Sequence, residues 1–275
     1  MENPYVPNLA VIKDVKDLTF DTKLFMLSFK DKNVEEKFSY KPGQFAVISV
    51  LKEGECSVSI ASSLTRNKYP EFAIKKMGKV TTAMHNLETG DVVGIRGPYG
   101  NGFPVEEWVN KNIVLIGGGI GQAPLRSVTH YILDNRKKYG DMHIIHGAKS
   151  QNDLVFKNEL FEMERMEDVN VYLSIDKEEE GWDRFVGFVP DNLLEVKPSP
   201  KNAVAVTCGP PVMINLVIKN LLKMGFKDEQ IYTTLEMRMK CGIGKCGRCN
   251  IGSIYVCKDG PMFSYKQLKG LQGER

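Results

Sequence analysis

The stretch Cys241-Gly-Ile-Gly-Lys-Cys246-Gly-Arg-Cys249, followed by Cys257, gathers four of the six cysteines of the chain into seventeen positions. Separations of four and then two residues are typical of plant-type [2Fe-2S] loops, in which thiolates ligate the iron. The glycines between these cysteines allow the backbone to curl around a ligand and turn its N–H groups towards sulfur. The pattern predicts that Cys241, Cys246, Cys249 and Cys257 hold a [2Fe-2S] cluster.

A structural zinc site is the main alternative, because tetrahedral zinc is also held by four clustered thiolates. Zinc ribbons usually present two CxxC pairs, whereas only Cys246 and Cys249 form such a pair here. A disulfide framework is disfavoured, because a chain of 275 residues with six cysteines does not resemble a small disulfide-rich scaffold.

Length and composition indicate an ordinary multidomain protein. The 275 residues exceed the size at which one core keeps growing, which favours two domains with a small appendage. No apolar run reaches the ~20 residues that span a bilayer, and the N-terminus lacks the pattern of a secretory signal. We therefore expect no membrane span and a cytoplasmic location. A net charge of +3 gives no single-sign field, so nucleic acid is not an expected partner.

Short β-rich segments separated by turns fill the first third of the chain. Alternating or β-branched residues predict strands at 24–29, 44–51, 71–75 and 91–96, a spacing that favours an antiparallel barrel or sandwich. Two spots could contact a ligand: the hydroxyl run from Ser57 to Ser63, and Gly78 before Lys79, Val80 and Thr81 at a predicted helix start. Amide groups there suit a phosphate, with Lys75 close by, although both spots also fit ordinary turns or caps.

Strands and helices alternate from about residue 108 to 233. Apolar runs predict strands at 112–116, 142–146, 169–175, 203–208 and 231–235, with helices at 125–138, 153–166 and 212–224. This alternation predicts a parallel sheet covered on both faces.

A glycine loop follows the first of these strands, and its residues are Gly117, Gly118, Gly119, Ile120, Gly121, Gln122, Ala123 and Pro124. Gln122 departs from the GxGxxG fingerprint, but the loop keeps a backbone that can approach a pyrophosphate at a helix N-terminus. The turn Cys208-Gly209-Pro210-Pro211 ends another strand and should reach the same carboxyl edge, where ligands of such sheets bind. Taken alone, Cys208 is equally consistent with a small hydrophobic residue that is simply buried in the core.

These features together resemble the ferredoxin–NADP reductase superfamily, and within it the gamma subunit of cytoplasmic nickel–iron hydrogenases and sulfhydrogenases. The chain is also similar to the B subunit of anaerobic sulfite reductase and, more distantly, to the electron-transfer subunit of dihydroorotate dehydrogenase. The resemblance is carried by KPGQF at 41–45, GKVT at 78–81, GDVVGIRGPYGNGFP at 90–104, GGGIGQAPLRSV at 117–128, CGPPVM at 208–213, MKCGIGKCGRCNIG at 239–252 and YVCKDGP at 255–261.

The resemblance implies an FAD-binding antiparallel β-barrel over 1–107, a parallel α/β NAD(P)-binding domain over 108–233 and a small C-terminal [2Fe-2S] domain over 234–275. It places Ser59 against the flavin ring and Cys208 beside the nicotinamide, as the candidate catalytic residues. It assigns the FAD diphosphate to Lys75 and to residues 78–81, and the nicotinamide dinucleotide to the glycine loop. One departure is that Cys56 and Val58 replace the Arg and the aromatic residue of an R-x-Y/F-S pattern.

The implied function is that of an electron-transfer subunit, which passes electrons between NAD(P)H, FAD and the cluster. Its partners would be the iron–sulfur and catalytic subunits of a hydrogenase or sulfite reductase complex, with a ferredoxin as a further candidate. A non-catalytic nucleotide-binding scaffold with structural zinc and a stand-alone diaphorase are the alternatives. Lys149 and Ser150, after the second strand of the sheet, could meet a 2′-phosphate, so NAD and NADP both stay open.

Overall fold

The N-terminal part of the fold is a six-stranded antiparallel sheet, seen in a computed structural model that describes residues 3–66 and 68–272. The sheet has the order β4-β3-β6-β1-β2-β5 and curls into a half-barrel around an apolar core. Its elements, numbered in chain order, are β1 (Asn8–Thr19), β2 (Thr22–Phe29), α1 (Lys32–Lys37), β3 (Phe45–Val50), β4 (Gly54–Ser59), β5 (Glu71–Lys75), α2 (Lys79–His85) and β6 (Val92–Tyr99).

The second part is a seven-stranded sheet of order β10-β9-β8-β7-β11-β12-β15, parallel except for its last strand. Its strands are β7 (Asn112–Gly118), β8 (Met142–Ala148), β9 (Val169–Ile175), β10 (Phe185–Val186), β11 (Ala203–Cys208), β12 (Ile231–Thr234) and β15 (Met262–Ser264). Its helices are α3 (Gln122–Asp134), α4 (Lys157–Met163), α5 (Val189–Val196) and α6 (Pro211–Lys223). Helices on both faces bury the apolar strands, as the sequence pattern predicts.

The segment that contains the four clustered cysteines begins after β12. It includes a hairpin of β13 (Asn250–Ile251) and β14 (Ile254–Tyr255), α7 (Val256–Asp259), β15 and α8 (Tyr265–Gln272). Because β15 pairs antiparallel with β12, this segment is anchored to the edge of the parallel sheet. No helix in the described part of the chain is long and apolar enough to span a bilayer.

Sequence and structure differ at helix ends and in ten elements that the sequence does not predict, most of them short: β1, α1, β4, β10, α5, β13, β14, α7, β15 and α8. The helix predicted from residue 153 begins at Lys157, because Gln151–Asp153 form a 3₁₀ turn and Phe156 adopts a left-handed φ of 57°. The helix predicted to reach residue 138 ends at Asp134, and a 3₁₀ turn at Arg136–Lys138 follows. β1, β4 and α5 have no counterpart among the predicted elements, since their exposed or polar positions weaken the apolar pattern.

A buried ion network joins the half-barrel to the parallel sheet. Arg126 of α3 donates to Glu71 of β5 at 2.7 Å and to the carbonyl of Ala61 at 3.0 Å. It also donates two hydrogen bonds to the carboxylate of Glu159, at 2.7 and 2.8 Å. Burial would raise the pKa of Glu159, but hydrogen bonds from His130 and Arg126 lower that pKa to about 2. The network therefore stays charged at neutral pH and fixes how the two sheets face each other.

His146 of β8 is a second buried polar residue, and it lies beside the start of the glycine loop. Its side chain is fully buried, and Nδ1 donates to the carbonyl of Gly117 at 3.1 Å. Burial lowers the pKa of His146 to about 4, although the bond to Gly117 opposes the shift. The folded protein therefore holds this imidazole neutral.

The pH dependence of stability should report this histidine. Between about pH 6.5 and 4 the unfolded chain binds a proton at His146 that the folded chain does not, so the free energy of unfolding falls as the pH falls. From pH 7 to pH 5 the loss from this residue is about 2 kcal/mol. Denaturant unfolding of wild type and His146→Asn at both pH values should show a flatter dependence in the variant. Parallel pH dependences would contradict this account.

Candidate functional site

The loop that carries the first three clustered cysteines needs glycine at three positions. Gly242, Gly244 and Gly247 have φ values of 78°, 69° and 70°, in the left-handed region that disfavours other residues. A Cβ on Gly242 would also lie 2.5 Å from Cδ2 of Tyr99, on β6 of the half-barrel. The loop therefore curls tightly and packs directly on the half-barrel.

Three of the four cysteines are buried, and the fourth reaches solvent. Cys241, Cys249 and Cys257 are at most 5% exposed, whereas Cys246 is exposed. Backbone amides point at the sulfurs: that of Gly244 donates to Cys257 Sγ at 3.2 Å, and those of residues 245 and 246 donate to Cys241 Sγ at 3.3 and 3.4 Å. Such N–H···S bonds stabilise thiolate ligands and tune the metal that they hold.

The Cys246 side chain hydrogen-bonds to Cys241 and that of Cys249 to Cys257, and the charge of Cys241 also acts on Cys257. Burial raises the pKa of Cys241, but the amide bonds lower it to about 6, while burial and Cys249 raise the pKa of Cys257 to about 12. Within residues 3–66 and 68–272, no three His, Cys, Asp or Glu side chains converge closely enough to hold a metal ion. Four clustered cysteines with inward amides fit the donor set of an iron–sulfur cluster.

Arg96 of β6 connects the half-barrel to this loop. Its side chain is 3% exposed, donates to the Cys241 carbonyl at 3.0 Å and pairs with Glu55 of β4 at 2.7 Å. Ser57, also on β4, donates to the carbonyl of Met239 at 3.1 Å. Two strands of the half-barrel thus hold the backbone on which the first cysteine stands.

The hydroxyl run on and after β4 divides into structural residues and one unengaged residue. Ser62 is buried and bonds to Tyr40 at 2.7 Å, and Ser63 bonds to Thr65 at 2.8 Å. Ser59, the last residue of β4, is half-buried and forms no side-chain hydrogen bond with the rest of the described chain. Its hydroxyl is therefore free to meet a ligand, next to the strand that holds the cluster loop.

The predicted diphosphate residues lie together at the start of α2. Gly78 is the N-cap, and the first-turn amides of Lys79, Val80 and Thr81 have no partner within the helix. Thr81 Oγ1 accepts from the amide of Gly78 at 2.9 Å. Lys75 pairs with Asp21 and Lys79 with Glu53, each at 3.2 Å, so both lysines are partly neutralised. The backbone amides in the first turn of α2, rather than the paired lysine side chains, are therefore the main candidate contacts for an anion.

The glycine loop and the CGPP turn touch each other at the carboxyl edge of the parallel sheet, as predicted. Cys208 pairs in register with Gly117, and a Cβ on Gly121 would lie 2.3 Å from the Cys208 carbonyl. The carbonyl oxygen of the Gln122 side chain is buried without a hydrogen-bond partner among the described residues. This leaves an unsatisfied acceptor beside the loop, which fits a ligand bound at this edge.

Cys208 is buried at 3% exposure, and its sulfur lies 3.0 Å from the hydroxyl of Thr234 on β12. Burial raises the pKa of Cys208 to about 12, so the thiol stays protonated and does not act as a nucleophile. A cavity of about 240 Å³ opens beside the following turn and is lined in part by Gly209, Pro211 and Glu236. Pro210 is exposed at the mouth of the turn.

Lys149 and Ser150 follow β8 but are not equally available. Lys149 is exposed, whereas the hydroxyl of Ser150 donates to Asp153 at 2.7 Å. Burial and Asp153 raise the pKa of Asp176, and Lys149 opposes that shift, so these three charges lie near one another. Asp153 and Asp176 therefore lie near the lysine that could read a 2′-phosphate, and Lys177 lies near Asp176 as well.

Sequence reasoning missed three contacts that shape the site. They are the bond from Arg96 to the cysteine loop, the contact of Thr234 with Cys208, and the ion pair of Arg126 with Glu71. A single charged residue inside the apolar run of β6 was an available signal for Arg96. Nothing in the sequence links Thr234 to Cys208, or Arg126 to Glu71, because each partner comes from a distant segment.

Three family profiles match the chain: an oxidoreductase FAD-binding domain over 9–103, an oxidoreductase NAD-binding domain over 115–219, and the iron–sulfur cluster binding domain of dihydroorotate dehydrogenase B over 236–269. These matches confirm the predicted FAD-binding, NAD-binding and iron–sulfur-binding domains. The NADH-dependent reduced ferredoxin–NADP oxidoreductase structure, from work on flavin-based electron bifurcation, matches all of this chain and 94% of its own with a TM-score of 0.76 at 21% identity. At 21% identity, this similarity shows that the two chains share a fold.

Sulfhydrogenase 1 subunit gamma of Pyrococcus furiosus is 42% identical over 99% of this chain and 95% of its own. The probable electron transfer subunit of dihydroorotate dehydrogenase B from Thermococcus kodakarensis is 34% identical over 96% of this chain and 98% of its own. The chain therefore belongs to the ferredoxin–NADP reductase-like family that includes these subunits, and it is an oxidoreductase with FAD-, NAD- and iron–sulfur-binding domains.

Proposed function

We propose that this chain is the gamma-type subunit of a hydrogenase or sulfhydrogenase complex and exchanges electrons between NAD(P)H and a partner catalytic subunit. The observation that best supports this proposal is that the cysteine loop is attached to the half-barrel through Arg96, Ser57 and Tyr99. This attachment keeps the cluster ligands beside β4, the strand that ends at Ser59. Ser59 lies two residues along this strand from Ser57, which donates to the backbone of the loop.

We propose that the chain has three functional domains, at 1–107, 108–233 and 234–275, and that each binds one of the three redox groups. Nicotinamide transfers a hydride, flavin exchanges two electrons or one, and an iron–sulfur cluster carries one electron at a time. Ser59 would orient the flavin ring, and the first-turn amides of α2 would bind its diphosphate. The glycine loop would hold the dinucleotide. The protonated Cys208 thiol would position the nicotinamide, because its high pKa removes it from acid–base chemistry.

The cluster is proposed to be [2Fe-2S], held by Cys241, Cys246, Cys249 and Cys257. The support is the separation of the loop cysteines by four and then two residues, together with the backbone amides that donate to their sulfurs. Zinc ribbons usually present two CxxC pairs, and this loop has one.

The hydrogenase-type partner is proposed from the sulfhydrogenase gamma subunit, which is 42% identical along nearly the whole length of both chains. A subunit of this kind takes its substrate specificity from its partners, because the described site offers only nucleotide, flavin and cluster positions. We also propose a cytoplasmic location.

Metal and pigment analysis of the anaerobically purified chain tests this function. We expect two irons and two acid-labile sulfides with one FAD, and an EPR signal after reduction that is lost in Cys257→Ala. The matched control is Cys56→Ala, which changes a cysteine outside the loop and should keep the signal. Stoichiometric zinc without sulfide would support the scaffold alternative instead.

Purification of the assembled complex from its native host tests the partner. A gamma-type role predicts nickel in a co-purifying subunit, whereas sirohaem would identify a sulfite reductase. Isolation as a free monomer with full NAD(P)H-dependent activity would favour the diaphorase alternative.

Arg96 should influence the cluster through its charge and its bond to the Cys241 carbonyl. Arg96→Gln removes a buried positive charge near the loop, so the added electron is less stabilised and the reduction potential becomes more negative. Arg96→Lys should restore much of the potential. EPR-monitored titration measures both, and identical potentials in all three proteins would leave Arg96 a purely structural role.

The environment of Lys149 predicts little discrimination in favour of NADPH. Asp153 and Asp176 offset the charge of Lys149, and Ser150 is already engaged. In Lys149→Ala the ratio of kcat/KM for NADH to that for NADPH should change by less than about threefold, since exposed charge contacts contribute little. A selective loss of NADPH activity of tenfold or more would instead make Lys149 a phosphate-reading residue.

A further inference from the structure

Exposed cations are concentrated in the segment of the chain that carries the clustered cysteines. Residues 237–258 contain five basic residues and no acidic residue, whereas the rest of the chain has 32 basic and 34 acidic residues. These five side chains, here named the basic rim, are Arg238, Lys240, Lys245, Arg248 and Lys258. The local charge therefore differs in sign from that of the remaining chain.

The side chains of the basic rim form no ion pair within the described residues, although, against the effect of burial, the charge of Lys240 helps to lower the pKa of Glu55. All five side chains belong to exposed residues. Elsewhere exposed cations do find partners, as Lys269 does with Asp228 at 2.7 Å. The flanking Asp259 instead accepts from the backbone amide of Tyr255 at 2.7 Å. The rim thus presents its charge to solvent.

Three of the rim residues, Lys245, Arg248 and Lys258, lie on or against the loop that carries the exposed cysteine. Cys246 stands between Lys245 and Arg248 in the loop, and it is the one of the four predicted ligands that is exposed. The side chain of Lys258 crosses this loop, since its Cδ lies 3.2 Å from the Cβ position of Gly244. A partner that approached a cluster held here from the side of Cys246 would therefore meet a positively charged surface.

We propose that the basic rim is the docking surface for an acidic face of the redox protein that exchanges electrons with the cluster. This inference rests on the proposed electron-transfer function and adds the site and the charge of its partner. Complementary charge steers diffusional encounter and fixes orientation, and its effect weakens as salt screens it. Nucleic acid and anionic membranes share the required charge and are separated from a redox partner by the tests below.

The first test needs no variant. The purified holoprotein is reduced, and reoxidation of the cluster is followed by stopped-flow absorbance with ferricyanide, an anion, and with tris(1,10-phenanthroline)cobalt(III), a cation. A positive rim predicts that added salt slows the ferricyanide reaction and speeds the cobalt reaction. Salt effects of the opposite sign, or none, would overturn the proposal.

The second test uses a purified acidic ferredoxin as the probe and compares two double variants. Lys245→Glu/Arg248→Glu reverses two rim charges beside Cys246, and Lys137→Glu/Lys201→Glu makes the same change in net charge at exposed positions that form no ion pair within the described residues, near the amino edge of the parallel sheet. We expect transfer to ferredoxin at low salt to fall about tenfold or more in the rim variant, with loss of salt dependence, and to stay within about twofold in the control.

Reduction of the cluster by NADH or NADPH, read by EPR in the same preparations, separates the two proposals. A wild-type cluster that neither nucleotide can reduce would defeat the electron-transfer function, whatever the rim does. A normally reduced cluster with equal ferredoxin rates in both variants would defeat the docking surface alone. If instead the rim variant loses binding to a DNA fragment or to anionic vesicles while ferredoxin transfer is unchanged, the rim binds that anion and not a redox partner.

Discussion

The bond from Arg96 to the carbonyl of Cys241 is the contact on which the electron path depends. A buried guanidinium must be paired, and Glu55 of the neighbouring strand supplies the partner at 2.7 Å. With that pair in place, the remaining donors of Arg96 reach the backbone of the cluster loop. The half-barrel thus also sets the position of Cys241, the first of the proposed cluster ligands.

A second buried charge, Arg126, has the equivalent role between the half-barrel and the nucleotide-binding sheet. It joins Glu71 of β5 to Glu159 of α4, and the first turn of its own helix carries the end of the glycine loop. The two arginines therefore connect three segments that each come from a different part of the chain. Breaking either pair would leave a buried charge unpaired, so the geometry of the electron path is coupled to the stability of the fold.

Much of this arrangement follows from local sequence. The cysteine spacing, the apolar runs at 112–116 and 203–208 and the glycines after them depend on residues close in sequence, and their consequences appear where expected. The arginine networks and the Cys208–Thr234 contact depend on segments far apart in the chain, so no local pattern encodes them. β4 was missed for a different reason: its sequence GECSVS lacks an apolar run, and pairing with β3 determines its conformation. The roles of the individual site residues stay predictions.

The most direct measurement of the central claim, that flavin mediates between nucleotide and cluster, is rapid-freeze EPR after anaerobic mixing with NADH. Holoprotein, FAD-stripped protein and stripped protein reconstituted with FAD are compared, with flavin absorbance followed in parallel. The account predicts a reduced-cluster signal in the holoprotein, no signal in the stripped protein and recovery after reconstitution. Reduction of the cluster at the same rate without FAD, or a fully reduced flavin beside an oxidised cluster that chemical reductants readily reduce, would contradict it.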